Sequence, residues 1–281
     1  MVSCAQRIVN NATEYVNDNP LNRRVQEAVG VGVLTGKKIR YTASDRLAIE
    51  RYFSGLLKRS LRTIDLKERD RLAVSSFAED EKWACGDVFE SLINVASTSP
   101  FHTIHGEMVT PPGCVFSFPL GALKIDKIKK IVVLENGAMM TNWCQTENLL
   151  PEKYKGALLL YRGHGDNQRG IKNLLSSLHH DTDIGIYYDY DAPGLSMAEG
   201  LLNGRTGDLI IPDCDIDTLI KHNKPDAYHK QFDILSTLIN HENDEIRAHA
   251  NILRESRLSI IQERLLINEI QLKTLAINTK K

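Results

Sequence analysis

The sequence predicts an α/β fold: a parallel sheet flanked by helices, preceded by a mostly helical N-terminal region and followed by a helical tail. Three observations carry this. From about residue 124, short apolar runs alternate with helix-length segments, the pattern of a parallel sheet covered on both faces. The preceding stretch reads largely with helical periodicity. Acidic residues stand just past two of the apolar runs, at the strand ends where open α/β sheets bind ligands.

Taken in order, residues 5–17 and 21–29 read as helices broken at Asn19-Pro20, since the residue before proline disfavours the helical region. Gly30 to Gly36 reads as a glycine-punctuated connection. Ser44 is an N-cap candidate for a helix over 45–60, whose Leu47, Ile49, Tyr52, Phe53, Leu56 and Leu57 form an apolar stripe. A further helix is expected over 79–97. Residues 101–105 and 115–118 then read as short strands around the turn Pro111-Pro112-Gly113. Helices followed by such a ribbon resemble a winged-helix DNA-binding module. The alternating part follows: strands at 131–134, 157–161, 184–188 and 208–211, with helices at 138–148, 167–179 and 194–203 and a short helix from Asp215. Residues 228–276 read as two or three helices, with Ile252, Leu253, Leu258, Ile261, Leu265, Leu266, Ile270 and Leu275 packing on the sheet or forming a dimer or partner surface. The expected domains are 1–123, a DNA- or partner-binding region; 124–224, a metal-binding α/β domain; and 225–281, a helical segment packing on it.

The chain has 281 residues and a net charge of -1, with no apolar run long enough to span a bilayer and no signal-peptide core. Its five cysteines are scattered, odd in number and never in CxxC spacing, which argues against a disulfide framework or a structural zinc site. A cytoplasmic protein is expected. Charge is uneven: residues 23–71 carry 13 Lys/Arg against 6 Asp/Glu, whereas 131–281 carry 16 against 21. A basic front and an acidic back suit a chain that grips a polyanion with one part and holds a cation with the other; a solvated basic surface is the plainer alternative.

The segments that bear chemistry are Leu134-Glu135-Asn136-Gly137 and Asp189-Tyr190-Asp191-Ala192-Pro193-Gly194. On one strand, positions i and i+2 share a face, so Asp189 and Asp191 are expected to project together. With Glu135 at a neighbouring strand end they would form an acidic cluster, which is costly unless a hard cation such as Mg²⁺ or Mn²⁺ neutralises it. The plainer reading is a set of strand-end turn residues. Between them, Arg162-Gly163-His164-Gly165 would let backbone approach a phosphate that Arg162 or His164 could pair with; a tight strand-to-helix turn also needs such glycines. Asn136 could orient Glu135 or touch phosphate. Glu263, in the tail, is a candidate further ligand, or a helical surface charge. His179-His180 suits a helix C-terminus, and no zinc is expected there.

These two acidic segments resemble the two motifs of the Toprim domain. Together with the intervening Tyr161-Arg162-Gly163-His164-Gly165 they are most similar to the JetD family, the DNA-cleaving subunits of Wadjet-type, condensin-like defence systems, related to the topoisomerase VI A subunit. The likeness covers about 131–200 and extends more loosely to Gln262-Glu263. It implies a Toprim-like sheet and a Mg²⁺- or Mn²⁺-dependent DNA endonuclease acting against plasmids or phage. Glu135, Asp189 and Asp191 would be metal ligands and, with His164, the catalytic residues. Arg162, Gly163, Gly165 and Asn136 would contact DNA phosphate, an SMC-like ATPase would be the protein partner, and a homodimer is a further option. Topoisomerase VI A subunits carry a catalytic tyrosine; Tyr15, Tyr41 and Tyr52 stand in no such context here, so hydrolysis is expected rather than strand passage. A non-catalytic DNA-binding adaptor and an RNA-processing Toprim nuclease are the alternatives.

Overall fold

The computed structural model describes residues 1–64, 92–163 and 167–277. The chain divides into two compact units, Met1–Glu90 and Ser91–Lys281. The first contains helix α1 (Val2–Asn11), strand β1 (Tyr15–Asn17), α2 (Pro20–Val29), β2 (Val33–Thr35), β3 (Lys38–Arg40) and α3 (Ala43–Leu57), with an antiparallel sheet in the order β1-β3-β2. The expected helix over 5–17 stops at Asn11, because Ala12 turns into the left-handed region and residues 15–17 pair with β3. Pro20 occupies the first turn of α2, where its missing N–H costs nothing, and Asn19 caps that helix by accepting from the N–H groups of Leu21 and Asn22. Thr42, not Ser44, caps α3 in a reciprocal capping box with Asp45. Ile8, Val25, Ile39, Ile49, Phe53 and Leu57 form the core of this unit. Gly32 is required by close approach: a Cβ there would lie 2.5 Å from the buried Tyr41 ring.

The second unit is built on β4 (Leu92–Ala96), β5 (Phe101–Thr103), β6 (Gly106–Met108), β7 (Phe116–Pro119), β8 (Lys130–Leu134), β9 (Leu158–Tyr161), β10 (Asp183–Tyr187), β11 (Gly207–Pro212) and β12 (Leu272–Ile277). Its main sheet is seven-stranded and mixed, in the order β12-β11-β10-β8-β9-β4-β7. β11, β10, β8 and β9 are parallel to their neighbours in that group, as the alternation predicts, while β12, β4 and β7 join by antiparallel pairing. Ile131 to Leu134 of β8 are fully buried, as a central strand covered on both faces requires. Helices α4 (Gly137–Thr141) and α5 (Trp143–Leu149) follow β8, α6 (Asn167–Ser177) follows β9, and α7 (Ala192–Leu202) follows β10. Then come α8 (Ile216–Lys221), α9 (Pro225–Tyr228), α10 (Phe232–Leu238), α11 (Asp244–Glu255) and α12 (Gln262–Ile267).

Four further expectations change. Residues 92–96 form a strand, not the end of a helix; residues 79–91 of the expected 79–97 helix lie outside the described residues. The sheet is mixed because β4 and β7 extend it beyond β9, so 92–123 belongs with the second unit and the division falls at 90/91 rather than 123/124. The strands flanking Pro111-Pro112-Gly113 are accordingly part of that unit, and the antiparallel ribbon of the N-terminal unit is β2–β3, turned at Gly36. The tail ends in a strand: six residues of β12 pair with β11 and cover what would be an open sheet edge. Leu253, Leu258, Leu265 and Ile270 are buried in the core with the sheet residues, whereas Ile252 is exposed. Among the described residues, no helix is long and apolar enough to cross a membrane.

Candidate functional site

Strand register assembles the site. Leu134 of β8 lies opposite Tyr187 of β10 and Tyr161 of β9. One residue further, Glu135 and Arg162 leave the sheet side by side, and Asp189 leaves beside them from β10. Glu135 Oε2 accepts the Asp189 N–H at 3.0 Å, and Glu135 Oε1 lies 3.3 Å from Arg162 Nη2. Both side chains of that ion pair are largely shielded from solvent, at 17% and 14% exposed, so water screens it weakly.

Asp189 and Asp191 do not share an extended strand. β10 ends at Tyr187, and the Asp191 N–H turns back onto the Asp189 carbonyl at 3.0 Å. This bend makes Asp191 the N-cap of α7: its Oδ1 accepts the Gly194 N–H at 2.8 Å, while Oδ2 accepts from Gln231 Nε2 at 3.1 Å and Ser259 Oγ at 3.4 Å. Gly194 is required here, since a Cβ would lie 2.0 Å from the Asp189 carbonyl oxygen. Burial pushes the Asp191 carboxyl up, opposed chiefly by the Gly194 N–H.

The tail closes the site. Tyr190 and Ile260 form an antiparallel bridge, which carries Gln262 and Glu263 to the strand ends. The Gln262 N–H donates to Asp189 Oδ1 at 2.8 Å. Its fully buried side chain donates to the Tyr187 carbonyl at 2.8 Å and accepts the Asn136 N–H at 3.0 Å. Asn136 caps α4 through Ala138 and donates its amide to Glu263 Oε1. Glu263 Oε2, Arg162 Nε and the Tyr187 hydroxyl are buried with no hydrogen-bond partner. Burial, then the charges of Glu135, Asp191 and Glu263, lift the Asp189 carboxyl from an ordinary 3.8 to about 7 despite the Gln262 N–H.

The structure thus brings Glu135, Asn136, Arg162, Asp189 and Glu263 together and turns Asp191 toward its capping bonds. Gly163 follows Arg162 with φ +75°, a backbone region that favours glycine. His164 and Gly165 lie outside the described residues. Among the described residues, the trio whose ligand atoms all approach within 4.8 Å is His179, His180 and Asp181, exposed at the opposite end of β10; Glu135, Asp189 and Asp191 do not converge to that distance. Tyr41 is buried, its hydroxyl pushed up to about 12 by desolvation, and Tyr15 and Tyr52 are exposed.

The cluster fits a hard dication through its donor set. Mg²⁺ is ordinarily held by one or two carboxylates completed by water and substrate oxygens. Glu135 and Asp189 supply two such carboxylates at adjacent strand ends, and Glu263 has a buried oxygen without a partner, although these three do not converge to within 4.8 Å either. Gln262 entered the sequence reading only through the loose extension of the resemblance, with no role of its own, and Gln231 and Ser259 were not expected; only the folded tail shows what they hold. No curated protein matches the chain. The model of one family, described as "Domain of unknown function (DUF7281)", matches residues 90–274, and the chain belongs to that family.

Proposed function

We propose that the chain is a divalent-metal-dependent DNA endonuclease of Toprim type, the cleaving subunit of an anti-plasmid or anti-phage system that works beside an SMC-like ATPase. The observation that carries the reading is the contact of Glu135 with the backbone of a partly buried Asp189 whose carboxyl is lifted to about 7, an arrangement that a bound dication would relieve. Mg²⁺ or Mn²⁺ held by Glu135 and Asp189, with Glu263 beside them, would supply Lewis-acid polarisation of a phosphodiester and a more acidic water. Glu135 would take a proton from that water. Arg162, which lies 3.3 Å from Glu135, would pair with the scissile phosphate. Asp191 acts as a positioning residue, through the cap it makes on α7. Exposed Arg23, Arg24, Lys37 and Lys38 give the N-terminal unit a basic surface suited to the DNA backbone.

The test is nicking of supercoiled circular DNA with Mn²⁺. Glu135→Gln and Asp189→Asn should each reduce it at least about 100-fold while circular dichroism stays native, the scale of losing a group that acts on the transition state. Variants that nick as fast as the parent sink the proposal. The adaptor reading draws on one observation, that Glu135, Asp189 and Asp191 stop short of convergence. It requires that the isolated protein bind DNA and take up no Mn²⁺ by calorimetry.

A further inference from the structure

Beside the acidic site a cavity of about 170 Å³ opens between α6 and α7, at the carboxyl ends of β9 and β10. Its walls are chemically divided. Ile171, Tyr188, Met197 and Leu201 supply apolar surface. The polar groups are mainly donors: the Arg162 guanidinium, then Lys172 and Gln168. The Arg162 guanidinium lies 5.5 Å from the centre of the Tyr188 ring, so a planar cation and an aromatic ring sit together at the cavity wall. The volume is below the roughly 300–1,000 Å³ usual for drug-sized ligands. It suits a single ring system.

We infer that this cavity receives one unpaired nucleobase of the DNA strand whose phosphate lies at Glu135 and Asp189. The inference rests on the nuclease reading for the position of the backbone and adds a substrate class, single-stranded or locally opened DNA. Apolar walls beside a guanidinium that already rests on an aromatic ring suit stacking on one face of a base. Donors at the rim match the carbonyl oxygens and ring nitrogens of its edge. A base stacked in a duplex cannot enter a recess between two helices; it must be unpaired first. Arg162 joins the two places, since Nη2 faces Glu135 while Nη1 lies 3.3 Å from Sδ of Met197, another residue of the cavity wall.

Gly200 permits a direct test. It lines the cavity from α7, and a Cβ there would meet nothing within 4 Å, so a larger side chain can fill the space without backbone strain. Binding of fluorescent oligodeoxynucleotides by the full chain is measured by anisotropy in EDTA at one fixed salt concentration. Each stacked base is worth about 1–3 kcal/mol, so Gly200→Phe should weaken single-strand binding about 5- to 150-fold and leave duplex binding within about twofold. With the unaltered protein, a duplex carrying one bulged nucleotide should bind more tightly than the same duplex with an abasic bulge. Equal affinities for the two bulges, or an equal effect of Gly200→Phe on single and double strands, overturns the inference. These measurements need no cleavage. If Mn²⁺-dependent nicking occurs and Gly200→Phe does not discriminate, the pocket falls and the nuclease stands; discrimination without nicking gives the converse.

Discussion

Asp189 should make the protein less stable as pH rises, and Asp189→Asn should remove that slope. Its carboxyl is lifted from an ordinary 3.8 to about 7, first by burial and then by Glu135, Asp191 and Glu263. Between those two values the folded chain holds a proton that the unfolded chain has lost, so stability falls with pH across that window. The contribution is complete below about pH 4 and is lost as pH passes through 7. At about 1.36 kcal/mol per pKa unit the full loss is about 4 kcal/mol. Between pH 5 and pH 8 it is about 2–3 kcal/mol, which for a unit of this size corresponds to about 5–10 °C in melting temperature. The assay is thermal unfolding in EDTA at several pH values, parent beside Asp189→Asn. Subtracting the variant's profile cancels the pH dependence that the two proteins share. Asparagine keeps an acceptor for the Gln262 N–H, so the comparison isolates charge. Saturating Mg²⁺ should restore more stability at pH 8 than at pH 6, because below 7 the ion must displace the proton. Parallel profiles for the two proteins would refute the claim that Asp189 is held against its own ionisation.

Gly194→Ala should cost several kcal/mol in urea unfolding and abolish metal uptake, because its Cβ would lie 2.0 Å from the Asp189 carbonyl. Gly200→Ala, on the same helix with open space, should instead stabilise by up to about 1 kcal/mol, and a loss there would refute the account of α7. Asp191→Ala removes the cap of α7 and leaves Gln231 and Ser259 short of an acceptor. A loss of about 2–4 kcal/mol is expected in the same titration, and a change below about 0.5 kcal/mol would show that the capping bonds contribute little.

The central sheet was legible because buried parallel strands write themselves as apolar runs: Ile131-Val132-Val133-Leu134, Leu158-Leu159-Leu160 and Ile184 to Tyr187 all lie where expected. Glycine inside the last run looks like a weakness in a strand, yet at Gly185 a Cβ would lie 2.8 Å from Ile210 and 3.0 Å from the Tyr154 ring, so tight packing selects it. The edges were harder to read. Leu272 to Ile277 contains leucine, lysine and alanine with no breaker, and only the unpaired side of β11 makes it a strand. Leu92 to Ala96 continued an expected helical stretch and is claimed by β9 and β7. Of the site, Glu135 and Asp189 were readable from their place past apolar runs. Asp191 misled through strand periodicity, since one bend after Tyr188 converts it from a face-mate of Asp189 into a helix cap.

Gln262 shows most sharply how a residue without a motif governs the cluster. Its side chain answers two opposite demands at once, accepting from the Asn136 N–H and donating to the Tyr187 carbonyl, while its own N–H holds Asp189. A carboxylate meets only the first demand, and a carboxylic acid meets both. Gln262→Glu should therefore behave as the parent at low pH, where the protonated acid can donate to Tyr187. At neutral pH it should either lose about 1–3 kcal/mol for the unsatisfied carbonyl or hold its proton well above the ordinary glutamate range. In both cases its stability falls with pH more steeply than the parent's, because another negative charge stands beside Asp189. Gln262→Ala cannot donate at any pH, so its deficit should be nearly constant relative to the parent. Urea midpoints for the three proteins from pH 5 to pH 8 separate the cases. A Gln262→Glu profile parallel to that of Gln262→Ala would mean that packing of the side chain, and not its paired hydrogen bonds, ties the tail to the acidic strand ends.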